Sequence, residues 1–198
     1  FKYPDRIVIG SNNLKKIKPI LEKLYLPIIN KGAKFLVVSR RSSELIKYAS
    51  NAFLATKITF INEIANLCES TNTNVEDIAI GIGTDQRIGS RFLRAGPAFG
   101  GSCFPKDTRA ILETSKKFNI DLSIINSVVK SNEKRKKLLI KRVEQILEYK
   151  FQNKIITFLG VTFKPNTDDM REASSLNMIN YLSKKKCHIR YYDPTGQK

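Results

Sequence analysis

The apolar positions of the chain follow two periods, and the switch between them outlines its elements. Short apolar runs at 6–9 and 35–38 read as strands, and between them Leu14, Ile17, Ile20, Leu21 and Leu24 recur at helical spacing up to Pro27. That order, strand–helix–strand with a helix stopped by proline, is part of an α/β unit. A long helical pattern follows. Ser42 or Ser43 can cap it, Glu44 stands in its first turn, and Ile46, Ala49, Phe53, Phe60, Ile64 and Leu67 mark an apolar face as far as Ser70-Thr71-Asn72. Asn74 can cap a short helix through about Ile80. Residues 108–118, 122–129 and 135–147 carry further helical spacing. Asn153 opens a new unit: a strand at 155–159, a loop at 160–170, a helix at about 173–182 and a strand at 188–192, the start of a βαβ unit. The fold class predicted is therefore α/β with a helical middle.

Composition narrows the class of function. A chain of 198 residues, 41% hydrophobic and 27% charged, is globular. It has no apolar run long enough to span a membrane and no signal peptide, so a soluble cytoplasmic protein is expected. Three cysteines without a C-x-x-C pair predict neither a disulfide framework nor a zinc site. The net charge of +17 raises the question of nucleic acid. Its densest clusters, Lys134-Arg135-Lys136-Lys137 and Lys184-Lys185-Lys186, have no interleaved aromatics, and the first shares a helix with Leu138, Leu139 and Val143. That is the solvated face of an amphipathic helix, and nucleic-acid binding is not expected.

The stretch Gly96-Pro97-Ala98-Phe99-Gly100-Gly101-Ser102-Cys103-Phe104-Pro105-Lys106-Asp107 is where chemistry concentrates. Three glycines and a proline in six positions make a loop whose backbone can approach a ligand closely. Pro105 suits a first helical position. Cys103 then precedes a helix N-terminus and Lys106 lies beside it; both favour the thiolate, the nucleophilic form. This stretch resembles the active-site loop of the UDP-glucose dehydrogenase family, G-P-G-F-G-G-S-C-F-P-K-D, departing from it only at Ala98. Residues 44–57 resemble the family helix that brings a lysine and an asparagine to the reacting carbon, with Lys47 and Asn51 in those places. The interval from that lysine to the cysteine is also kept. Phe163-Lys164-Pro165-Asn166-Thr167-Asp168-Asp169-Met170-Arg171-Glu172 resembles the opening of the family's C-terminal, UDP-binding domain.

The resemblance implies a three-part organisation: residues 1–41 as the end of an N-terminal, NAD-binding Rossmann-like domain, 42–150 as an all-helical central dimerisation domain with the catalytic loop, and 151–198 as the beginning of a C-terminal Rossmann-like domain. It implies catalytic roles for Cys103, Lys47, Asn51 and Asp107. Substrate contacts would come from Lys47, Asn51, Arg87, the run Phe92, Leu93, Arg94, Ala95 and Gly96, and from Gly100, Phe163 and Lys164. Lys106 and Arg171 would touch the cofactor, NAD. The implied partner is a nucleotide sugar, in a homodimer joined by the central helices, with Arg87 reaching the neighbouring subunit's substrate. No metal, nucleic acid or membrane is implied. The sugar stays open between UDP-glucose, UDP-N-acetylmannosamine and GDP-mannose, and a truncated, non-catalytic dimerising chain is the alternative from another class.

The residues support oxidation of a primary alcohol to an acid. Two hydrides must leave, and a thiolate at Cys103 would hold the intermediate aldehyde as a thiohemiacetal, whose oxidation gives a thioester for water to hydrolyse. Lys47 and Asn51 would stabilise the oxyanion, at roughly 3 kcal/mol per donor. Asp107 would order or deprotonate the water. A papain-like reading of Gly101-Ser102-Cys103-Phe104 fails, because the only histidine, His188, is too near in sequence. Neither Gly81-Ile82-Gly83 nor Gly160 completes a dinucleotide fingerprint. By itself the 198-residue chain is therefore expected to bind no NAD and to be inactive.

Overall fold

The computed structural model describes residues 3–196. It divides into two compact units, one ending at Ser50 and the other beginning at Asn51.

In the first unit β1 (Arg6–Gly10) and β2 (Lys34–Val38) pair in parallel, Arg6 opposite Lys34 and Gly10 opposite Val38, joined by α1 (Leu14–Ile29). Asn13 caps α1, its side chain accepting from the Lys16 N–H at 3.1 Å. Contrary to the sequence reading, α1 does not stop at Pro27 but continues to Ile29. Pro27 stands in the last turn, where a missing donor costs a single hydrogen bond, and Asn30 N–H still closes on the Leu26 carbonyl at 2.9 Å. The unit also contains the beginning of α2 (Arg40–Thr71). That helix is capped by Ser39, whose hydroxyl accepts from Ser42 N–H at 3.1 Å, and not by Ser42 or Ser43.

The second unit holds the rest of α2, then α3 (Val75–Gly83), α4 (Phe104–Lys117), α5 (Ser123–Ile146), β3 (Ile155–Leu159), α6 (Ser174–Lys184) and β4 (His188–Tyr192). Asn74 caps α3 as expected, accepting from Glu76 N–H at 2.9 Å. The two helical stretches predicted at 122–129 and 135–147 are one helix, α5, because nothing between them breaks the ladder. Strands β3 and β4 pair in parallel, with α6 as the crossover. Here Asp193, 2% exposed, accepts from the backbone N–H groups of Val161, Thr195 and Gly196 at 2.8–2.9 Å and from Thr162 at 3.2 Å. These donors, the Val161 N–H foremost, hold its carboxyl far below the usual carboxylate range.

The core side of α2 is not the one its large apolar residues predict. Ala52, Ala55, Ile61, Ala65 and Cys68 are buried, whereas Phe53, Phe60 and Leu67 are 67%, 48% and 59% exposed. The buried positions are mostly small residues, and the bulky stripe is left on the outer side. The basic face of α5 is likewise only partly solvated: Lys136 is buried and Arg135 half-buried. Among the described residues no helix is long and apolar enough to cross a membrane.

Candidate active site

The loop at residues 96–103 is held from behind and from the side. Behind it, Phe99 enters an apolar cluster with Ala55 and Val128, its ring edge-on to Phe104 at 6.0 Å. The Phe99 N–H donates to Asn132 Oδ1 at 2.8 Å and its carbonyl accepts from Asn132 Nδ2 at 3.1 Å. Gly96 is gripped in the same way: its N–H donates to Asn62 Oδ1 at 2.8 Å, and its carbonyl accepts from Arg135 Nε at 3.2 Å. Both asparagines are 3% exposed. A buried amide with its partners satisfied fixes a backbone in a way that apolar packing cannot, since a misaligned loop would leave it unpaired.

From the side, the loop leans on residues 163–174. Gly101 N–H donates to the Arg171 carbonyl at 2.7 Å and Ser174 Oγ to the Pro97 carbonyl at 2.8 Å. The approach is so close that a Cβ on Gly100 would sit 2.4 Å from the Glu172 carbonyl oxygen. One on Gly101, where φ is +80°, would sit 2.7 Å from the Phe163 ring. Ala98 has φ +112°, a conformation that alanine resists.

Cys103 occupies the N-cap position of α4 and is exposed, while Cys68 and Cys187 are buried. Pro105 is the second residue of α4 and not the first. One turn on, Asp107 is fully buried; its Oδ2 accepts from Asn51 Nδ2 at 2.6 Å, and its Oδ1 pairs with Lys106 Nζ. Asn51 and Lys106 thus share one carboxylate beneath the thiol's helix. A cleft of ≈ 770 Å³ is lined by Cys103, Lys106, Arg109, Arg171 and Glu172 among others. Arg171 chelates Asp169, at 2.9 and 2.8 Å, which draws the Asp169 carboxyl down to about 2. The Arg171 guanidinium is raised in return, chiefly by its hydrogen bond to Asp169.

The remaining predicted site residues fall as follows. Phe163 lies over Gly101, and Lys164 Nζ sits 5.3 Å from the centre of the Phe163 ring. Gly100 and Phe163 also line a smaller cavity of ≈ 180 Å³ with Phe158, Gly160 and Met178. In the run at 92–96, Phe92 (φ +68°) contacts the Phe104 ring at 6.1 Å, Leu93 is buried at 4% exposure, Arg94 is exposed and Ala95 half-buried. Arg87 is 89% exposed and chelates Asp85, on a turn steadied by Lys57 Nζ, which donates to the carbonyls of Ile88 and Gly89 at 2.9 and 3.0 Å. Lys47 is exposed and belongs to the first unit. The structure adds residues that sequence reasoning missed: Asn62, Asn132 and Arg135 behind the loop, and Lys136 and Glu172 beside it. Polar side chains interrupting the apolar stripes of α2 and α5 were the available signal.

A parallel βαβ unit, a helical middle and a glycine loop that ends in an exposed thiol at a helix N-terminus together define an α/β protein with a candidate site at that loop. Residues 41–134 match the central domain of the UDP-glucose/GDP-mannose dehydrogenase family, and residues 157–198 match that family's UDP binding domain. Over 196 residues the chain is 48% identical to UDP-glucose 6-dehydrogenase of Rickettsia felis, covering 99% of this chain and 44% of that protein. It is 46% identical to a UDP-glucose 6-dehydrogenase of Bacillus subtilis, over 96% of this chain and 42% of the other. A solved UDP-glucose dehydrogenase from Pyrobaculum islandicum superposes with a TM-score of 0.92 at 35% identity, covering 99% of this chain and 44% of that one. The chain belongs to the UDP-glucose/GDP-mannose dehydrogenase family. It spans about 44% of the length of the relatives it matches.

Proposed function

We propose that the chain carries the thiol and the UDP-facing part of an enzyme that oxidises UDP-glucose to UDP-glucuronate. The observation that carries this reading is the exposed Cys103 at the N-terminus of α4, one turn from the buried Asp107 that Asn51 and Lys106 share, in the cleft with Arg171. The reacting form of Cys103 is the thiolate. That thiolate adds to the C6 aldehyde carbon, and the oxygen becomes the alkoxide of a thiohemiacetal; loss of a hydride gives a thioester, and water then releases the acid and frees the thiol. Lys47 and Asn51 donate to the oxygen as charge develops on it. Asn51 is held for this by its bond to Asp107, and Asp107 takes part in activating the hydrolytic water. Phe163, Lys164, Gly100 and the run at 92–96 hold the nucleotide sugar.

NAD, when bound, accepts the two hydrides. The described residues fit it only at its edge: Lys106 and Arg171 offer cations in the cleft. The strand-to-helix glycine turn that cradles a pyrophosphate is missing among them. Gly81 and Gly83 lie within α3, and Gly160, although it follows β3 with φ +92°, is succeeded by Val161 and Thr162. Residues 1–198 alone are accordingly proposed to give no turnover.

The outer stripe of α2 with Phe53, Phe60 and Leu67 supports a dimer through the central helices, an apolar face that a second copy would cover, with Arg87 directed to the partner's substrate. The test is product analysis in the full-length protein containing this chain. UDP-glucose should yield UDP-glucuronate with two NADH per turnover, and Cys103→Ser should stall at the aldehyde or acyl stage. Wild-type acid formation by Cys103→Ser would refute the thioester route, and preference for UDP-N-acetylmannosamine or GDP-mannose would reassign the sugar.

A further inference from the structure

One cluster of charges beside the thiol has no part in the reaction just described. Lys136, on α5, has a side chain only 4% exposed, and its Nζ lies 2.9 Å from Glu133 and 3.6 Å from Glu172. Glu172 in turn accepts from Arg109 Nη1 at 3.0 Å, on α4, the helix that Cys103 begins. Its backbone is unusual as well. Glu172 has φ +55°, its carbonyl occupies the space a Gly100 side chain would need, and its neighbour Arg171 receives the Gly101 N–H. A non-glycine residue in the left-handed region is kept there when its side chain is tied down. This carboxylate is tied twice, to α4 and to α5, and a buried ammonium such as Lys136 cannot lose a counter-charge without rearrangement.

We propose that Glu172 is a positioning residue for the thiol: by bridging Arg109 and Lys136 it fixes the loop at 100–103 and the first turn of α4, and so sets where Cys103 sits in the cleft it shares with Arg171. It touches no reacting atom. It acts through the Gly100–Gly101 backbone and through α4. The role in turnover rests on the oxidative reading above; the geometric claim does not.

The experiment compares Glu172→Gln, Glu172→Asp and Glu172→Gly in the full-length protein. Two quantities are read: the rate of Cys103 alkylation by iodoacetamide, and kcat against KM for UDP-glucose. Small misplacements of a reacting group cost rate steeply, so Glu172→Gln should lower kcat about tenfold or more while KM stays within about twofold. The alkylation rate should change about threefold or more in the same variant. Glu172→Asp, which keeps the charge, should recover a substantial part of both losses. Glu172→Gly relieves the left-handed strain and so folds even where Gln does not; it should nonetheless behave as Gln does. Unchanged kcat and alkylation in the Gln and Gly variants would overturn the proposal. So would a rise in KM alone, which would make Glu172 a substrate contact, or failure of Asp to recover either quantity. If the parent protein oxidises no nucleotide sugar, the oxidative reading fails, and the alkylation rates still decide the role of Glu172.

Discussion

Replacing Asn51 with alanine tests how firmly α2 and α4 are joined beneath the thiol. Asp107 is fully buried and takes a 2.6 Å hydrogen bond from Asn51 Nδ2. A hydrogen bond to a charged group contributes about 1.5–3 kcal/mol, and a buried acceptor that loses its donor keeps its desolvation cost. The small void left by the amide adds to this, so Asn51→Ala should destabilise the protein by about 2–4 kcal/mol. For a chain of this size each kcal/mol moves Tm by about 2–4 °C, giving a drop of roughly 4–16 °C in calorimetry. Lys106 pairs with the same carboxylate, but its side chain is 60% exposed, and solvent screens the pair. Lys106→Met should therefore cost no more than about 1 kcal/mol. The order is the sharp part: a Lys106→Met loss equal to or greater than that of Asn51→Ala would refute the account of the cluster. Asn51→Asp provides a check on sign. It sets two carboxylates against each other, so its deficit should be largest near neutral pH and shrink as acid protonates one of them.

Three further outcomes are expected. Ala98→Gly should raise stability by about 1 kcal/mol, the relief of the φ +112° strain outweighing the added freedom of the unfolded chain, read as a Tm increase of a few degrees; a decrease would show that the loop tolerates alanine without strain. Asp193→Asn should melt earlier at neutral pH. Because the Asp193 carboxyl is depressed in the fold, its contribution is complete above its ordinary value of 3.8 and fades as pH falls below it, so the variant's deficit should narrow under acid when Tm is followed against pH. In the native protein iodoacetamide should label Cys103 and spare Cys68 and Cys187 until denaturant is added; early labelling of either buried thiol by mass spectrometry would contradict their placement.

Much of this was legible in the residues because local chemistry decided it. The strands at 155–159 and 188–192, the Asn74 cap and the helix after Cys103 all follow from spacing and capping, and the structure forms them there. Where the chain departs from expectation, a tertiary contact decided. No periodicity shows that Ala52, Ala55 and Ala65 face inward while Phe53 and Phe60 face outward, since the helix is apolar on both sides and only its neighbours choose. Lys136 read as one of four exposed cations until Glu133 and Glu172, the latter far along the chain, closed around it. The supports of Gly96 and Phe99 were hidden for the same reason: Asn62 and Asn132 are distant in sequence from the loop they hold.

The seam between the glycine loop and residues 163–174 bears on how members of this family can be recombined. Gly101 bonds the Arg171 carbonyl, Ser174 bonds Pro97, and Gly100 leaves no room for a side chain against Glu172. The two segments are therefore one interlocking part, although some sixty residues of chain lie between them and they fall in separately named domains. A chimera joined within α5 or at β3 would set each half of the lock against a foreign counterpart. A junction beyond Ser174 would carry both halves from one parent, so the transferable unit that contains the thiol runs past the conventional domain border and ends inside α6.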